Sequence, residues 1–374
     1  MPTKIKRIFL EEDSNKKLIN DIHNNEVIDI TKILPLITPG TELRKGLDEI
    51  LQGNLGALIV LGNSERLKPI LKGGFDLDIP FSFQKLFELS KMDGAIVLSN
   101  DLLKITGANK HLMPDKDIFS KETGMRHRSA EQTAIQSNLP VIAISHRRNV
   151  ISLYFRDQKY ILQDFSILMV KANHAINNLK DYRQKIDKKI KSLYLKEISN
   201  FPNLKEEVID VIQNILYFIK HEKQIDEFII ELGSHGQDIS NTLYETTEGI
   251  DEELSIILRD YSNKFLTKQE ALEKVVYLKQ LGIRKIADSE TLVDFLEISD
   301  FVSKRLNIFP RGFRIFQKIG SIDDRIIEIL IKNKESISFI KNLNSLSISK
   351  IPGIDVNTSK LIFEELVKIY NKKI

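Results

Sequence analysis

Two hydrophobic periodicities divide the chain. Up to about Gln163, short apolar runs alternate with polar punctuation: Leu55-Gly-Ala-Leu-Ile-Val-Leu61, Gly94-Ala-Ile-Val-Leu98, Val141-Ile-Ala-Ile-Ser145, Ile151-Ser-Leu-Tyr-Phe155 and Tyr160-Ile-Leu162. Each is short, rich in branched residues and bounded by Gly, Asn, Asp or Pro, which predicts β-strands. Between them Leu43, Leu47, Ile50 and Leu51 recur at helical spacing after Pro39-Gly40-Thr41, with Thr41 placed to cap the helix start. Strands interleaved with helices predict an α/β domain over residues 1–163, a mixed sheet flanked by helices.

From Asp164 the period changes. Phe165, Leu168, Ala172, Ala175, Leu179, Tyr182 and Ile186 recur in alternating steps of three and four, a heptad-like seam on one long helix that runs on through Ile190 and Leu193. Amphipathic patterns over Glu206–Ile219 and Lys268–Leu281 add further helices. Together they predict an all-α spine over residues 164–307. The seam suits either internal core or a partner subunit. Residues 308–374 form a third segment, helical and punctuated by two short turns, Ile319-Gly-Ser-Ile322 and Ile351-Pro-Gly-Ile354.

A chain of 374 residues has room for two or three such domains. Its longest apolar runs, such as Leu58–Leu61, are far too short to cross a bilayer. The first ten residues lack the apolar core of a secretory signal, so a cytoplasmic protein without membrane attachment is expected. With no cysteine, thiolate metal sites, iron–sulfur clusters and a cysteine nucleophile are excluded. The net charge of +3 hides an asymmetry: residues 301–374 hold 14 Lys/Arg against 7 Asp/Glu, and the rest 41 against 45. A basic end on a slightly acidic body suits contact with a polyanion, and equally a solvated basic face.

Two segments of the first domain carry candidate chemistry. Asp93-Gly94-Ala95 puts a carboxylate beside two minimal side chains, where a ligand can approach the backbone closely. A plain turn before a strand has the same composition. In Gly124-Met125-Arg126-His127-Arg128-Ser129, followed by Gln132, Ser129 and Gln132 form a capping-box signature that predicts a helix start. A helix start preceded by two arginines and a histidine offers free N–H groups and forked cations to phosphate oxygens. The alternative is a surface turn paired with carboxylates elsewhere. Walker-type, dinucleotide-fingerprint and zinc-protease motifs are absent from the sequence. His23, His174, His221 and His235 show no metal-ligand spacing.

Asp93-Gly94-Ala95 and Arg126-His127-Arg128 resemble, in order and separation, the two signature motifs of the diadenylate cyclase family. Pro39–Arg44, Gly73-Gly-Phe75, Leu89–Met92, His111–Pro114 and Ser145–Asn149 are similar to its DNA integrity scanning branch, and the likeness spans nearly the whole chain. The resemblance implies condensation of two ATP into cyclic di-AMP with release of two pyrophosphates, between cyclase domains that face one another. It implies Asp93 as ligand of Mg²⁺ or Mn²⁺, and Arg126, His127 and Arg128 on the triphosphate. Gly94, Ala95, Ser129 and Met125 (through its backbone) join them at the nucleotide, with Leu112 at the adenine and Ser145 near phosphate. It also implies homo-octamers.

At the other end, Leu346–Ile354 and the helix over Ser359–Val367 resemble a helix–hairpin–helix, a non-sequence-specific DNA-binding unit. Lys350, Gly353 and Lys360 are its candidate DNA contacts, and Ile319–Ile322 is a candidate degenerate first copy. Asp355, Asn357 and Ser359 depart from the motif, and an acid at 355 is expected to weaken phosphate binding. By family resemblance the DNA is branched and inhibits synthesis. A non-catalytic, nucleotide-sensing DNA-binding protein is the alternative reading.

Overall fold

The computed structural model describes residues 30–199, 201, 203–296, 310–320, 322–332 and 345–371. The expected boundary at 307/308, the first ten residues and Ser321 of the first C-terminal turn lie outside the described residues. Two compact units emerge, and they do not follow chain order. The first comprises the described residues up to His174 together with Ile225–Thr242; the second comprises Ala175–Gln224 and the described residues from Leu243 onward.

An eight-stranded sheet organises the first unit: β1 (Leu58–Val60), β2 (Leu71–Lys72), β3 (Phe75–Pro80), β4 (Ala95–Leu98), β5 (Lys104–Leu112), β6 (Val141–Ser145), β7 (Val150–Phe155) and β8 (Gln158–Leu162). The order is β2-β5-β4-β1-β6-β7-β8, with β3 also paired to β5. Only β1 and β4 run parallel, Ile59 opposite Ile96, and every other pairing is antiparallel. The sheet is therefore mixed, as expected. Strand-by-strand alternation explains its two covered faces. Ile59, Ile96, Leu98, Ile142 and Ile144 point to one side, packed with Leu43, Leu47 and Ile50 of helix α1 (Glu42–Gln52). Leu58, Val60, Ala95, Val97 and Ala143 point to the other, packed with Ala130 and Ala134.

Helix α1 begins as its sequence predicts, with the Thr41 hydroxyl accepting from Arg44 N. Helix α2 (Phe83–Leu89) follows β3, and α3 (Met125–Ser137) precedes β6. The returning segment Ile225–Thr242 is fixed by Glu231, which accepts from the Tyr160 hydroxyl at 2.6 Å and from Gln163 N at 2.8 Å.

Helix α4 (Phe165–Ile198) carries the heptad-like seam. Leu168, Ala172, Leu179 and Ile186 are buried within the single chain, whereas Phe165 is exposed. The seam is thus internal core along most of its length. In the second unit α5 (Lys205–Leu232), α6 (Gln237–Thr247), α7 (Ile250–Tyr261) and α8 (Lys268–Gln280) follow, α5 and α6 being shared with the first unit. Short helices α9 (Ile283–Ala287) and α10 (Ser289–Phe295) come next. The C-terminal segment has α11 (Phe313–Gln317), α12 (Asp324–Lys332), α13 (Ser345–Ser349) and α14 (Val356–Asn371). Ile198, Phe313, Phe316, Ile327, Ile348, Ile351 and Ile362 share one apolar cluster, so this segment packs on the end of α4. Among the described residues no helix is long and apolar enough to cross a membrane.

Candidate active site

An open cleft of about 400 Å³ lies at the start of β4, the start of α3 and the end of β5. Asp93, Gly94, Leu112, Met125, Arg126 and Ser129 all line it. Two motifs about thirty residues apart in sequence thus meet in one place, because β4 and β5 pair in the sheet while α3 packs over its face.

Gly94 is required where it stands. Its φ is +92°, and a Cβ there would lie 2.7 Å from the Asn109 carbonyl carbon. The β4 and β5 backbones approach too closely for any side chain. Asp93, just before it, is exposed to the cleft. Ala95 is fully buried on the α3 side of the sheet, so it shapes the cleft from behind.

The helix start differs from its sequence reading. Helix α3 begins at Met125 with Gly124 as N-cap, so Ser129 lies inside the helix. Gln132 does not close a capping box either; its amide donates to Ile118 O at 2.8 Å and ties down the preceding loop. The consequence favours anion binding. Gly124 supplies no side-chain cap, the first turn holds no acid, and its N–H groups are left for a ligand. Arg126 lies across Gly56, where a Cβ would collide with the guanidinium, and its Nη1 donates to Ile144 O at 3.4 Å.

His127 is not at the cleft surface. It is buried, with Nδ1 2.9 Å from the Tyr154 hydroxyl. Its place follows from the helical period, since His127, Ala130, Ala134 and Ser137 form the buried stripe of α3. Burial lowers the His127 pKa and Glu122 opposes this only in part, so the ring is neutral at physiological pH. Arg128 is exposed and donates from Nε to Glu122 O at 3.3 Å. Ser145, half-buried at the end of β6, accepts from Arg148 N at 3.4 Å. Neither Arg128 nor Ser145 lines the cleft.

The cleft also holds residues that the sequence did not single out as ligands: Gly56, Met92, Lys110, His111 and Met113. Lys110 is buried along its stem, and its Nζ donates to Asp76 at 2.8 Å. Among the described residues no three His, Asp or Glu side chains could together enclose a metal ion. A single carboxylate fits a hard cation whose remaining ligands are phosphate oxygens and water, and Asp93 is the carboxylate that lines the cleft.

A family model described as DisA bacterial checkpoint controller nucleotide-binding matches residues 44–159, which hold the whole cleft. A second, the DisA bacterial checkpoint controller linker region, matches residues 162–304. With this fold and cleft, the chain is a diadenylate cyclase, an enzyme class that implies dependence on a divalent metal ion. The DNA integrity scanning protein DisA of Clostridium acetobutylicum is 35% identical, over 95% of this chain and 99% of that protein. That of Bacillus cereus is also 35% identical, over 93% of this chain and 96% of its own length. The chain belongs to the DNA integrity scanning protein DisA family.

Proposed function

We propose that the chain condenses two ATP molecules into cyclic di-AMP and two pyrophosphates, each protomer holding one ATP and facing a partner's cleft. The carrying observation is the meeting of Asp93, the Gly94 backbone, Arg126 and the uncapped start of α3 in one cleft. Nucleotidyl transfer depends on in-line positioning and on neutralising phosphate charge, and these groups supply both. Asp93 holds Mg²⁺ or Mn²⁺ and accepts the proton of the attacking 3′-hydroxyl. An ion held by Asp93 would, when bound, offset phosphate charge. Arg126, Arg128 and the first N–H groups of α3 stabilise the departing pyrophosphate, with Ser129 beside them. Leu112 lies against the adenine, Met125 contributes its backbone, and Ser145 approaches phosphate. His127 acts from behind this surface.

The same reading makes the protein cytoplasmic and homo-octameric, with domains at 1–163, 164–307 and 308–374. The end of the first family match at 159 and the start of the second at 162 support the first division. The C-terminal segment is a helix–hairpin–helix unit that binds branched DNA and restrains synthesis. Its turn supports this: Gly353 is exposed with φ +93°, between α13 and α14, and Lys350 and Lys360 are exposed beside it. Gly320 does not share that left-handed backbone, so the first turn is at most a partial copy.

The test is chromatography of products after incubation with ATP and Mn²⁺ or Mg²⁺. A species co-eluting with cyclic di-AMP, absent with Asp93→Asn, is expected. An Asp93→Asn protein of normal activity would remove Asp93 from the site. A four-way junction added to the same assay should lower the rate.

A further inference from the structure

Beneath the arginine-bearing start of α3 runs a chain of hydrogen bonds that the reaction above does not use. Glu122 Oε1 accepts from the Tyr154 hydroxyl at 2.9 Å and from Lys159 Nζ at 2.5 Å. The Tyr154 oxygen lies 2.9 Å from His127 Nδ1. An ionised carboxylate only accepts, so the tyrosine proton goes to Glu122 and the tyrosine oxygen accepts from Nδ1–H. The direction of the chain thereby selects one imidazole tautomer, with Nε2 as a bare acceptor. Among the described residues Nε2 has no hydrogen-bond partner, and it is shielded from solvent.

The protonation states agree with that direction. Burial would raise the Glu122 pKa, but hydrogen bonds from Lys159 and Tyr154 outweigh it and hold Glu122 ionised. Burial first, and Glu122 second, push the Tyr154 pKa up, so the phenol keeps its proton. The partners come from separate parts of the fold. Glu122 is in the loop before α3, Tyr154 on β7, Lys159 on β8 and His127 in the first turn of α3. Arg148, after β6, reaches the same loop through Thr123 at 3.2 Å.

We propose that Glu122, Tyr154 and Lys159 form a positioning clamp that grips His127 and so fixes the first turn of α3 with Arg126 facing the nucleotide. Successive helical residues are turned by about 100°, so holding residue 127 inward sets where 126 and 128 point. The clamp touches neither substrate nor metal; it acts through the orientation of the groups that do. This inference rests on the reading that the α3 start binds the triphosphate.

Tyr154→Phe keeps the buried ring and deletes both of its hydrogen bonds, and Glu122→Gln keeps the shape and deletes the charge. In each variant kcat for cyclic di-AMP should fall about tenfold to a hundredfold, the order caused by a displacement of about 1 Å. The KM for ATP should move by less than about threefold, because the arginines themselves remain. The double variant should be no slower than the slower single one, since both cut the same chain. Circular dichroism at the assay temperature reports the folded fraction, and Arg126→Ala is assayed in parallel. Wild-type kcat in the folded single variants, with Arg126→Ala inactive, overturns the clamp and leaves the triphosphate reading intact. A kcat loss fully matched by unfolded protein also overturns it. Full activity of Arg126→Ala removes the triphosphate reading, and the clamp with it.

Discussion

Glu197, near the end of α4, accepts from Arg314 Nη1 at 2.8 Å, and neither side chain has appreciable contact with solvent. Around the pair, Tyr261 donates its hydroxyl to the same Glu197 oxygen at 2.7 Å, and Arg314 Nη2 reaches Ile190 O at 3.1 Å. Asp260, also buried, accepts from the backbone N–H groups of Gly312, Phe313 and Arg314 and so caps the start of α11. The C-terminal segment is thus fastened to α4 and α7 by buried charge as well as by its apolar cluster. The Arg314 guanidinium bonds Glu197, and its charge favours the ionised form of both buried carboxyl groups, Glu197 and Asp260.

Burial pushes the Glu197 carboxyl up to about 7, with Asp260 adding to the rise and Arg314 opposing it. In the unfolded chain a glutamate titrates near 4.3. Between those values the folded state holds a proton that the unfolded state has lost, so this group's contribution to stability falls as pH rises from about 4.3 to about 7 and is flat above. Urea unfolding followed by circular dichroism, for wild type and Glu197→Gln from pH 5 to 8, should show wild type losing stability relative to the variant as pH rises. A difference independent of pH would rule out the elevated carboxyl. Arg314→Met should cost about 3 kcal/mol or more at pH 8, where Glu197 is left charged and buried, and less at pH 5.

Asp355 shows why a departure from a motif can have a structural purpose. Its carboxylate accepts from Thr358 N at 2.8 Å and from the Thr358 hydroxyl at 2.6 Å, closing the start of α14. These hydrogen bonds hold its pKa below the ordinary aspartate value, so the cap is present above about pH 4 and is lost as pH falls further. Asn caps as well as Asp without the charge. Asp355→Asn should therefore leave α14 intact by hydrogen exchange while tightening DNA binding about threefold at low salt, the order expected of one charge several ångströms from a phosphate. Unchanged affinity in a mobility-shift titration would place DNA away from this turn. Asp355→Ala should instead speed exchange in the first turn of α14.

Much of the sheet was readable because its central strands are buried on both faces and appear as unbroken apolar runs, as with Val141–Ser145. Strand β5 was missed. Lys104–Leu112 contains Gly107, polar Asn109 and Lys110, and two register shifts against β4, so neither an apolar run nor a clean alternation survives. That loss hid one wall of the cleft, including Lys110. The N-cap of α3 was misplaced by five residues because Ser129-x-x-Gln132 satisfies a local rule, whereas Gln132 is used by a tertiary contact to Ile118. Asp93 and Gly94 were legible as chemistry, but the reason for Gly94 is the β5 backbone, which no local pattern reveals.

Lys110 gives the cleft a positive charge whose present partner is weak. Its side chain is 10% exposed, whereas that of Asp76, 2.8 Å from its Nζ, is 96% exposed. An ion pair with one fully hydrated member contributes little, since water already solvates that carboxylate. A triphosphate in the cleft carries more charge and several oxygens, and it competes with Asp76 for the ammonium. Lys110→Met should therefore raise the KM for ATP about tenfold, the order of one charge-assisted hydrogen bond, with kcat within about threefold. Asp76→Asn should act in the opposite direction and lower KM, because the ammonium is released. Initial rates against ATP at low and moderate salt measure both, and the difference between the variants should narrow as salt screens the exposed partner. An unchanged KM in Lys110→Met would mean that the triphosphate lies toward Arg126 and away from the β5 wall.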